Sequence, residues 1–311
     1  MTRAFFIVGP TGTGKSEIAA DVAREVGAEI VSVDAFQIYR GFDLLTAKPD
    51  VSTLAKAAHH LIATVPVTED MNAEKYRRAA TLATEHINSR GKLATLVGGS
   101  GLYIKAITHG LAPLPEADPT LREKLNAMSL DDLCSQLVEL DPKTARTTDL
   151  KNRRRVIRAL EICLVTGKSA SAQRERTGDA GCPRSGGFQS AARGAFLFRN
   201  REELYERINQ RVEMMFERGV IEEVRAAGEI SQTASQMIGL REIRQLLAGK
   251  KSVPDCIAEI QQATRRYAKR QLTWFRRQTN FSPLNLSFLT RKEAVRWISL
   301  RILSEAGTRD D

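Results

Sequence analysis

The sequence predicts an α/β protein in which a parallel sheet core is flanked by helices and carries an inserted all-helical lobe. Strand-sized apolar runs at Ala4–Val8, Glu29–Val33 and Leu93–Val97 alternate with helical periodicity at Lys15–Val26 and Ala73–Asn88. Such alternation is typical of a parallel sheet covered on both faces. From about residue 118 the strand candidates give way to short polar helices, which indicates the inserted lobe.

The second half of the chain is predicted to be mostly helical. A basic helix at Lys151–Val165 precedes a Gly/Ser/Arg-rich return segment at Thr177–Arg193, and Gly194–Arg199 fits a strand that returns to the core. Further helices are predicted at Arg201–Arg218, Val220–Ala227 and Pro254–Gln278. We therefore divide the chain into a first part of the core (1–117), an inserted lobe (118–193) and a second, mostly helical part of the core (194–311).

Length and charge limit the class of protein. A chain of 311 residues with 42% hydrophobic content can bury one substantial core and still form a smaller lobe. The formal net charge of +10 fits a polyanionic partner, although solvated Lys and Arg faces would give the same sum.

The start of the chain and its cysteines indicate a cytoplasmic protein. The apolar stretch before Gly9 is too short for a signal-peptide core or a membrane span, so no membrane association is expected. Cys134, Cys163, Cys182 and Cys256 are far apart and lack zinc spacing, which favours reduced structural thiols. We expect a monomer.

The most specific motif is a complete G-x-x-x-x-G-K-[ST] sequence between a predicted strand and a predicted helix. It consists of Gly9, Pro10, Thr11, Gly12, Thr13, Gly14, Lys15 and Ser16. Glycines let backbone N–H groups face phosphate oxygens, Lys15 supplies a point charge, and the Ser16 hydroxyl can ligate Mg²⁺. The core is therefore predicted to be P-loop NTPase-like and to bind a di- or triphosphate.

The motif alone leaves the chemistry open. Asp34 follows the second strand, where it could be a metal carboxylate of a small-metabolite or nucleotide kinase using ATP, a turn cap, or a general base. The third strand ends in Gly98-Gly99-Ser100, without a carboxylate. Glycine and a hydroxyl at that point favour a tight turn that approaches a substrate.

Several blocks along nearly the whole chain, in this order, resemble the tRNA dimethylallyltransferase (isopentenyltransferase) family. They are GPTGTGKS at 9–16, VDAFQIYRGFDLLTAKP at 33–49, HHL at 59–61, GGSGLY at 98–103, RRVIRALEICLVTGK at 154–168, LYERINQRVEMM at 204–215, MIGLREI at 237–243 and TRRYAKRQLTWFR at 264–276. The chain departs from the family pattern at Leu240-Arg241, where Tyr-Lys is usual, and at Ser100, where Thr is usual. No C-terminal zinc-finger spacing is present, which indicates the bacterial form.

The resemblance implies that the P-loop holds the diphosphate of dimethylallyl diphosphate and not ATP. It implies transfer of the dimethylallyl group to N6 of the adenine 3′ of the anticodon, in tRNAs reading codons that start with U. The inserted lobe would grip the anticodon stem-loop, and Mg²⁺ would be the cofactor. A purely RNA-binding module, by contrast, would not need Lys15 or Ser16.

The resemblance also implies catalytic roles for Asp34, Ser100 and Arg211. Asp34 would accept the proton of the adenine amine, the Ser100 hydroxyl would contact the nucleotide or the donor, and Arg211 together with Thr11 would reach the diphosphate. Without the resemblance, Arg211 equally fits a solvated helix face, since Arg207 lies four residues before it. Lys48 fits either donor binding or a solvated turn.

Clusters of cations and aromatic residues predict the RNA surface. The resemblance implies tRNA contacts at Asp34, Ala35, Phe36, Gln37, Ser100, Arg122, Arg154, Arg155, Val156, Ile157, Arg158, Gln236, Met237, Ile238, Gly239, Leu240, Arg241, Lys269, Arg270, Gln271, Leu272, Thr273, Trp274, Phe275 and Arg276. The basic runs equally fit solvated faces. Tyr267, Trp274 and Phe275 equally fit packing of the last long helix onto the core.

Overall fold

The larger part of the chain is built around a six-stranded parallel sheet. The computed structural model describes residues 3–111, 114–115, 118–173, 193–278 and 280–307. The strands are β1 (Ala4–Val8), β2 (Glu29–Val33), β3 (His59–His60), β4 (Ala94–Gly98), β5 (Arg193–Phe198) and β6 (Phe281–Asn285). Their order across the sheet is β3-β2-β4-β1-β5-β6, and every neighbouring pair is parallel.

Helices cover both faces of this sheet. The helices before the inserted lobe are α1 (Lys15–Val26), α2 (Val51–Leu54), α3 (Ala73–Ser89) and α4 (Gly101–His109). Those after the inserted lobe are α9 (Arg201–Glu217), α10 (Val220–Arg225), α11 (Leu240–Leu247), α12 (Val253–Phe275) and α13 (Arg291–Gly307). Short 3₁₀ turns occur at Ala234–Gln236 and Leu286–Phe288.

Alternation along the strands divides the core into two layers. Phe6 and Val8 of β1 point into one apolar cluster, and Phe5 and Ile7 point into another on the opposite face. The first cluster contains residues of α3, α4 and α9 to α12, whereas the second contains residues of α1 and α13. The predicted α/β class with a parallel sheet is thereby confirmed.

The inserted lobe forms a compact unit of its own. Contacts divide the chain into Met1–His109 with Gly187–Asp311, and Gly110–Gly186, whereas the sequence predicted a lobe at 118–193. Its helices are α5 (Pro119–Ala127), α6 (Leu130–Leu140), α7 (Pro142–Thr147) and α8 (Arg153–Thr166). They pack around a small core that includes Leu133, Leu137 and Leu160. The predicted return segment lies outside the described residues except for Arg193.

Two strands and four of the described helices were not predicted from the sequence. β3 has two residues and is too short to show a pattern. β6 contains Pro283, which argues against a strand except at a sheet edge, and β6 is the edge strand next to β5. The helices α2, α4, α11 and α13 were missed as well. Of the described helices, none is long and apolar enough to cross a membrane. Cys134, Cys163 and Cys256 remain as thiols.

A buried carboxylate marks the end of the sheet where β2 begins. Glu29, which is 4% exposed, accepts hydrogen bonds from His60 at 2.8 Å, Arg90 at 2.6 Å and Lys92 at 2.9 Å. Burial alone would raise the pKa of Glu29, but the hydrogen bonds from His60 and Lys92 and the charges of Arg90 and Lys92 lower it to about 2. Because the folded-state pKa is depressed, this carboxylate stabilises the fold above its ordinary pKa near 4.5, and the contribution is lost as pH falls towards 2.

We expect Glu29→Gln to lower the free energy of unfolding by about 2 kcal/mol at pH 7, because the cations Arg90 and Lys92 then face a neutral amide. The difference from the unsubstituted protein should shrink as pH falls from about 5 towards 2, and urea unfolding at several pH values measures it. Glu69→Gln removes an exposed carboxylate whose only ion pair among the described residues is with Lys75, so it should change stability by less than about 0.5 kcal/mol. A difference for Glu29→Gln that is independent of pH would contradict the charge argument.

Candidate active site

The P-loop joins β1 to α1 in a conformation that depends on its glycines. A Cβ on Gly9 would lie 2.2 Å from the backbone oxygen of Leu197 in β5, so only glycine fits there. Gly14 has a φ of 85° and begins α1 as its N-cap residue. The backbone oxygen of Pro10 accepts hydrogen bonds from Thr13 Oγ1 at 3.0 Å and Lys15 Nζ at 3.2 Å. The predicted strand, loop and helix are confirmed in this segment.

Three arginines from the chain after the lobe hold the P-loop. Arg211 Nη2 donates to Thr11 Oγ1 at 2.8 Å. Arg207 Nε donates to the oxygen of Gly12 at 2.9 Å, and Arg199 Nε donates to the oxygen of Thr13 at 3.0 Å. Arg199 and Arg207 were not predicted as site residues. The sequence offered one weak signal for each of them: Arg199 directly follows a strand, and Arg207 lies one helical turn before Arg211.

Positive charge is concentrated and partly desolvated at the P-loop. The pKa of Lys15 is lowered to about 8, chiefly by burial; the Asp34 and Glu17 carboxylates oppose this shift, and the Arg211 guanidinium adds to it. Burial also lowers the pKa of Arg211. The Nε atom of Arg211 is buried and has no hydrogen-bond partner among the described residues. An anion bound here would therefore meet poorly hydrated cations, whose attraction is stronger than at the surface.

Asp34 and Ser100 connect the ends of β2 and β4. Asp34 Oδ1 accepts hydrogen bonds from the backbone N–H groups of Phe36 at 2.9 Å and Gln37 at 3.3 Å, so Asp34 caps a turn. Ser100 Oγ accepts from the N–H of Ala35 at 3.0 Å, and Ser100 is only 6% exposed. No described residue donates a hydrogen bond to Asp34 Oδ2. The carboxylate can thus cap the turn through one oxygen and offer the other to a substrate.

One cavity of about 370 Å³ unites the P-loop, Asp34 and the arginines of α9. Its wall includes Thr11, Gly12, Gly14, Lys15, Ser16, Asp34, Gln37, Leu44, Arg207, Arg211, Met214 and Met215. The cations and the amides of the loop lie on one part of the wall, and Leu44, Met214 and Met215 add apolar side chains. A phosphorylated molecule with a short apolar tail matches this mixture of linings.

The oxygen donors in the cavity suit Mg²⁺. The hydroxyl of Ser16 lines the cavity at the P-loop, and Mg²⁺ prefers oxygen ligands and takes several of them from phosphate groups and water. The donor set therefore fits the predicted Mg²⁺, with Ser16 as the ligand from the P-loop.

The loop that follows Asp34 is held by two charged side chains. Lys48 Nζ donates to the oxygens of Tyr39 and Gly41 and to Asp43 Oδ1, each at 2.6 Å, and its side chain is 5% exposed. Glu223 accepts hydrogen bonds from the N–H groups of Leu44 at 2.9 Å and Leu45 at 2.8 Å. Lys48 therefore shapes the cavity wall, because its three N–H donors already have acceptors within the protein. The role of Glu223 was missed, since nothing in the sequence relates it to residues 44 and 45.

Burial separates the residues predicted to contact RNA into three groups. Eight are exposed: Arg154, Arg155, Gln236, Arg241, Lys269, Arg270, Thr273 and Arg276. Six carry buried side chains: Val156, Ile157, Met237, Leu240, Gln271 and Phe275. These six side chains pack inside the protein and help to hold the helices, and RNA contact at these positions stays a prediction. Gly239 and Ser100 are also buried.

The remaining predicted RNA contacts are partly exposed. They are Asp34, Ala35, Phe36, Gln37, Arg122, Arg158, Ile238, Leu272 and Trp274. Arg122 donates to both carboxylate oxygens of the buried Glu161, at 2.6 and 2.8 Å, and Arg158 donates to Glu161 at 3.2 Å. These two arginines therefore stabilise the lobe as well as offering charge at its surface. Core packing is confirmed for Phe275, whose ring stacks on Phe196 at 5.4 Å.

Comparison with known proteins reveals close relatives along most of the chain. The IPP transferase family model matches residues 37–278. The chain is 42% identical over 282 residues to tRNA dimethylallyltransferase 1 of Citrifermentans bemidjiense, covering 89% of this chain and 90% of that protein. It is 38% identical over 302 residues to tRNA dimethylallyltransferase of Akkermansia muciniphila, covering 97% and 99% of the two chains.

Solved structures give the same result. The chain resembles the crystal structure of a full-length tRNA isopentenylpyrophosphate transferase from Bacillus halodurans, with a TM-score of 0.69 and 31% identity over the whole of both chains. It shares its fold with a eukaryotic dimethylallyltransferase acting on tRNA, with a TM-score of 0.78 at 24% identity, covering 97% of this chain and 80% of that one. The family resemblance predicted from the sequence blocks is confirmed.

Proposed function

The chain belongs to the IPP transferase family, and we propose that it transfers the dimethylallyl group of dimethylallyl diphosphate to N6 of the adenine 3′ of the anticodon. The substrates would be tRNAs that read codons starting with U, and the products N6-(dimethylallyl)adenosine and diphosphate. The observation that carries this proposal is the single cavity in which a P-loop, two arginines and Asp34 face one another. We further propose that the protein acts as a cytoplasmic monomer.

The diphosphate leaves as the allylic C–O bond breaks, and its electron pair stays on the diphosphate oxygen. Lys15, Arg211 and the N–H groups of the P-loop lie on the cavity wall where that negative charge would develop. Because Lys15 and Arg211 are desolvated, their attraction to the leaving group is strong. When bound at Ser16, Mg²⁺ would supply further positive charge to the diphosphate oxygens.

The adenine amine must lose a proton as the new C–N bond forms. Asp34 has one carboxylate oxygen fixed by the turn, and the other is placed to accept that proton. The Ser100 hydroxyl accepts from Ala35 N–H and lies within hydrogen-bonding reach of the Tyr267 hydroxyl, and we propose that its hydrogen turns to the nucleotide or the donor when substrate binds. An adenine inside a stacked anticodon loop cannot reach a buried electrophile, and we propose that it is flipped into the cavity.

The RNA surface is proposed to consist of the exposed cations of α8, α11 and α12. Arg154 and Arg155 of α8 and Lys269, Arg270 and Arg276 at the end of α12 are all exposed, as phosphate contacts require. These contacts would position the anticodon stem-loop, and aromatic or hydrogen-bonding groups near the cavity would read the target base.

A kinase using ATP remains the alternative that a P-loop by itself would suggest. The two proposals are separated by incubating the protein and Mg²⁺ with labelled dimethylallyl diphosphate and unmodified tRNA, alongside an ATP control. The expected result is label in the tRNA without ATP consumption, and no label when the target adenine is replaced by guanine. ATP turnover without label in the RNA would overturn the transferase proposal.

The binding of diphosphate should weaken at alkaline pH because of Lys15. A pKa of about 8 means that the ammonium is charged below that pH, whereas above it each binding event must also take up a proton. We expect the Kd for inorganic diphosphate to be nearly constant from pH 7 to 8 and then to rise by up to about tenfold per pH unit. Isothermal titration calorimetry in two buffers of different ionisation heat would reveal the proton uptake. A Kd that does not change between pH 7 and 9.5 would contradict this explanation.

A further inference from the structure

Gln271 forms a bridge between the two loops that border the cavity. The side chain projects from α12, and the residue is 6% exposed. Its Oε1 accepts a hydrogen bond from the backbone N–H of Thr11 at 2.9 Å, and its Nε2 donates to the backbone oxygen of Gly99 at 2.8 Å. A single carboxamide thus joins the P-loop to the turn between β4 and α4.

Both ends of this bridge lie next to residues with proposed roles. Thr11, whose N–H is held by Gln271, also accepts the hydrogen bond from Arg211 through its hydroxyl. Gly99 directly precedes Ser100, and a Cβ on Gly99 would lie 2.4 Å from the Gln271 Nε2 atom. The position of Gln271 along α12 therefore affects the diphosphate side and the acceptor side of the cavity together.

The same helix turn reaches the protein surface on its other side. Arg270 and Thr273 are exposed, and they lie on the same turn of α12 as the buried Gln271. The ring of Trp274 packs so closely against Gly101 that a Cβ on this glycine would lie 2.8 Å from the ring. A hydrogen-bonded helix moves as a rigid element, so a force on its exposed face is transmitted to its buried side chains.

We infer that Gln271 is a positioning residue that couples RNA binding on α12 to diphosphate binding at the P-loop. It acts through Thr11 and Gly99 and does not contact the RNA. This inference rests on the proposed function, because it takes tRNA as the ligand of the exposed face of α12. Coupling of this kind is reciprocal, so the stem-loop should tighten diphosphate binding by the factor by which diphosphate tightens stem-loop binding.

Two substitutions separate the two halves of the bridge. Gln271→Leu removes both hydrogen bonds and leaves the Thr11 N–H and the Gly99 oxygen unpaired. Gln271→Glu keeps an acceptor for Thr11 but places a carboxylate oxygen against the oxygen of Gly99. Gln261→Leu is a matched control, because Gln261 lies on the same helix and donates to Asn209 and Glu213 of α9 and, among the described residues, to none of the P-loop.

The test measures the Kd for inorganic diphosphate with and without an anticodon stem-loop, together with kcat and KM for dimethylallyl diphosphate. In the unsubstituted protein and Gln261→Leu, we expect the stem-loop to tighten diphosphate binding by about fivefold or more. In Gln271→Leu the factor should fall to about one, with kcat/KM for the donor reduced about 10- to 100-fold. In Gln271→Glu the new carboxylate should raise the Kd for diphosphate by repulsion, and the stem-loop should tighten the remaining diphosphate binding by less than about twofold.

The outcomes distinguish this inference from the proposed function. If the unsubstituted protein transfers no label to tRNA, the proposed function has failed. If it transfers label but the stem-loop leaves diphosphate affinity unchanged, or Gln271→Leu keeps the full coupling factor, the inference is overturned. A coupling factor of about fivefold or more in Gln271→Glu would equally overturn it, because the hydrogen bond to Gly99 would then be dispensable for the coupling. Should Gln271→Leu fail to fold, Gln271→Glu decides the question alone.

Discussion

Asp34→Asn is expected to lower kcat for dimethylallyl transfer by about 10²- to 10⁴-fold, because an amide cannot accept the proton of the adenine amine. The asparagine Oδ1 can still accept the hydrogen bonds from Phe36 and Gln37, so the turn after β2 should persist. We expect the KM for dimethylallyl diphosphate to change by less than about threefold, since Asp34 acts on the acceptor. Steady-state kinetics with saturating tRNA measure both parameters.

Asp118→Asn is the matched control for the capping role. Asp118 Oδ1 accepts hydrogen bonds from the N–H groups two and three residues ahead, at Thr120 and Leu121, in the same pattern as Asp34. If loss of a capping charge alone were responsible, both substitutions would reduce kcat to the same small extent. If Asp34→Asn retains more than about a tenth of kcat, the general-base role is rejected and Asp34 remains a turn cap.

The parts of the fold that the sequence predicts are those defined by local patterns. β1, α1 and β2 begin and end at the predicted residues. Each is a continuous apolar or helically periodic run, and a Gly or Asp directly follows its last residue. β6 could not be predicted in the same way. Its Pro283 is acceptable only because β6 lies at the edge of the sheet, and edge position is a property of the assembled fold.

The site shows the same division between local and long-range information. The P-loop motif specifies Lys15 and Ser16 by spacing alone. The roles of Glu223 and Gln271 depend on partners 172 or more residues away in the chain, and no local pattern reports such pairs. The family resemblance placed Gln271 on the RNA surface, yet helical periodicity turns its side chain inward while its neighbours Arg270 and Leu272 face other directions.

The periodicity of α9 left two interpretations of Arg211, and the structure distinguishes them. A solvated face would pair Arg207 and Arg211 with nearby glutamates of the same helix. Instead, Arg207 bonds to the oxygen of Gly12 and Arg211 to the hydroxyl of Thr11. Glu203 accepts hydrogen bonds from Arg199 and Ser287, and Glu206 accepts one from Gln210.

Arg211→Met is therefore expected to reduce kcat/KM for dimethylallyl diphosphate by about 10²- to 10³-fold, because a desolvated positive charge is lost beside the leaving group. A second effect follows from electrostatics. Arg211 lowers the pKa of Lys15, so removing its charge should raise that pKa above 8 and move the alkaline loss of diphosphate binding to higher pH. Calorimetric titrations with inorganic diphosphate from pH 7 to 9.5 measure this displacement.

The displacement of the pH profile separates a direct charge effect from a structural one. Arg225→Met removes an exposed arginine of α10 that pairs only with Glu222 among the described residues, so it should alter neither kcat/KM nor the pH profile. A misfolded P-loop would weaken diphosphate binding at every pH, and the pH above which binding weakens would not change. If kcat/KM falls and this pH also rises, Arg211 and Lys15 must act on the same diphosphate within one poorly solvated cavity. If kcat/KM falls and this pH stays the same, that arrangement is rejected and Arg211 only supports Thr11.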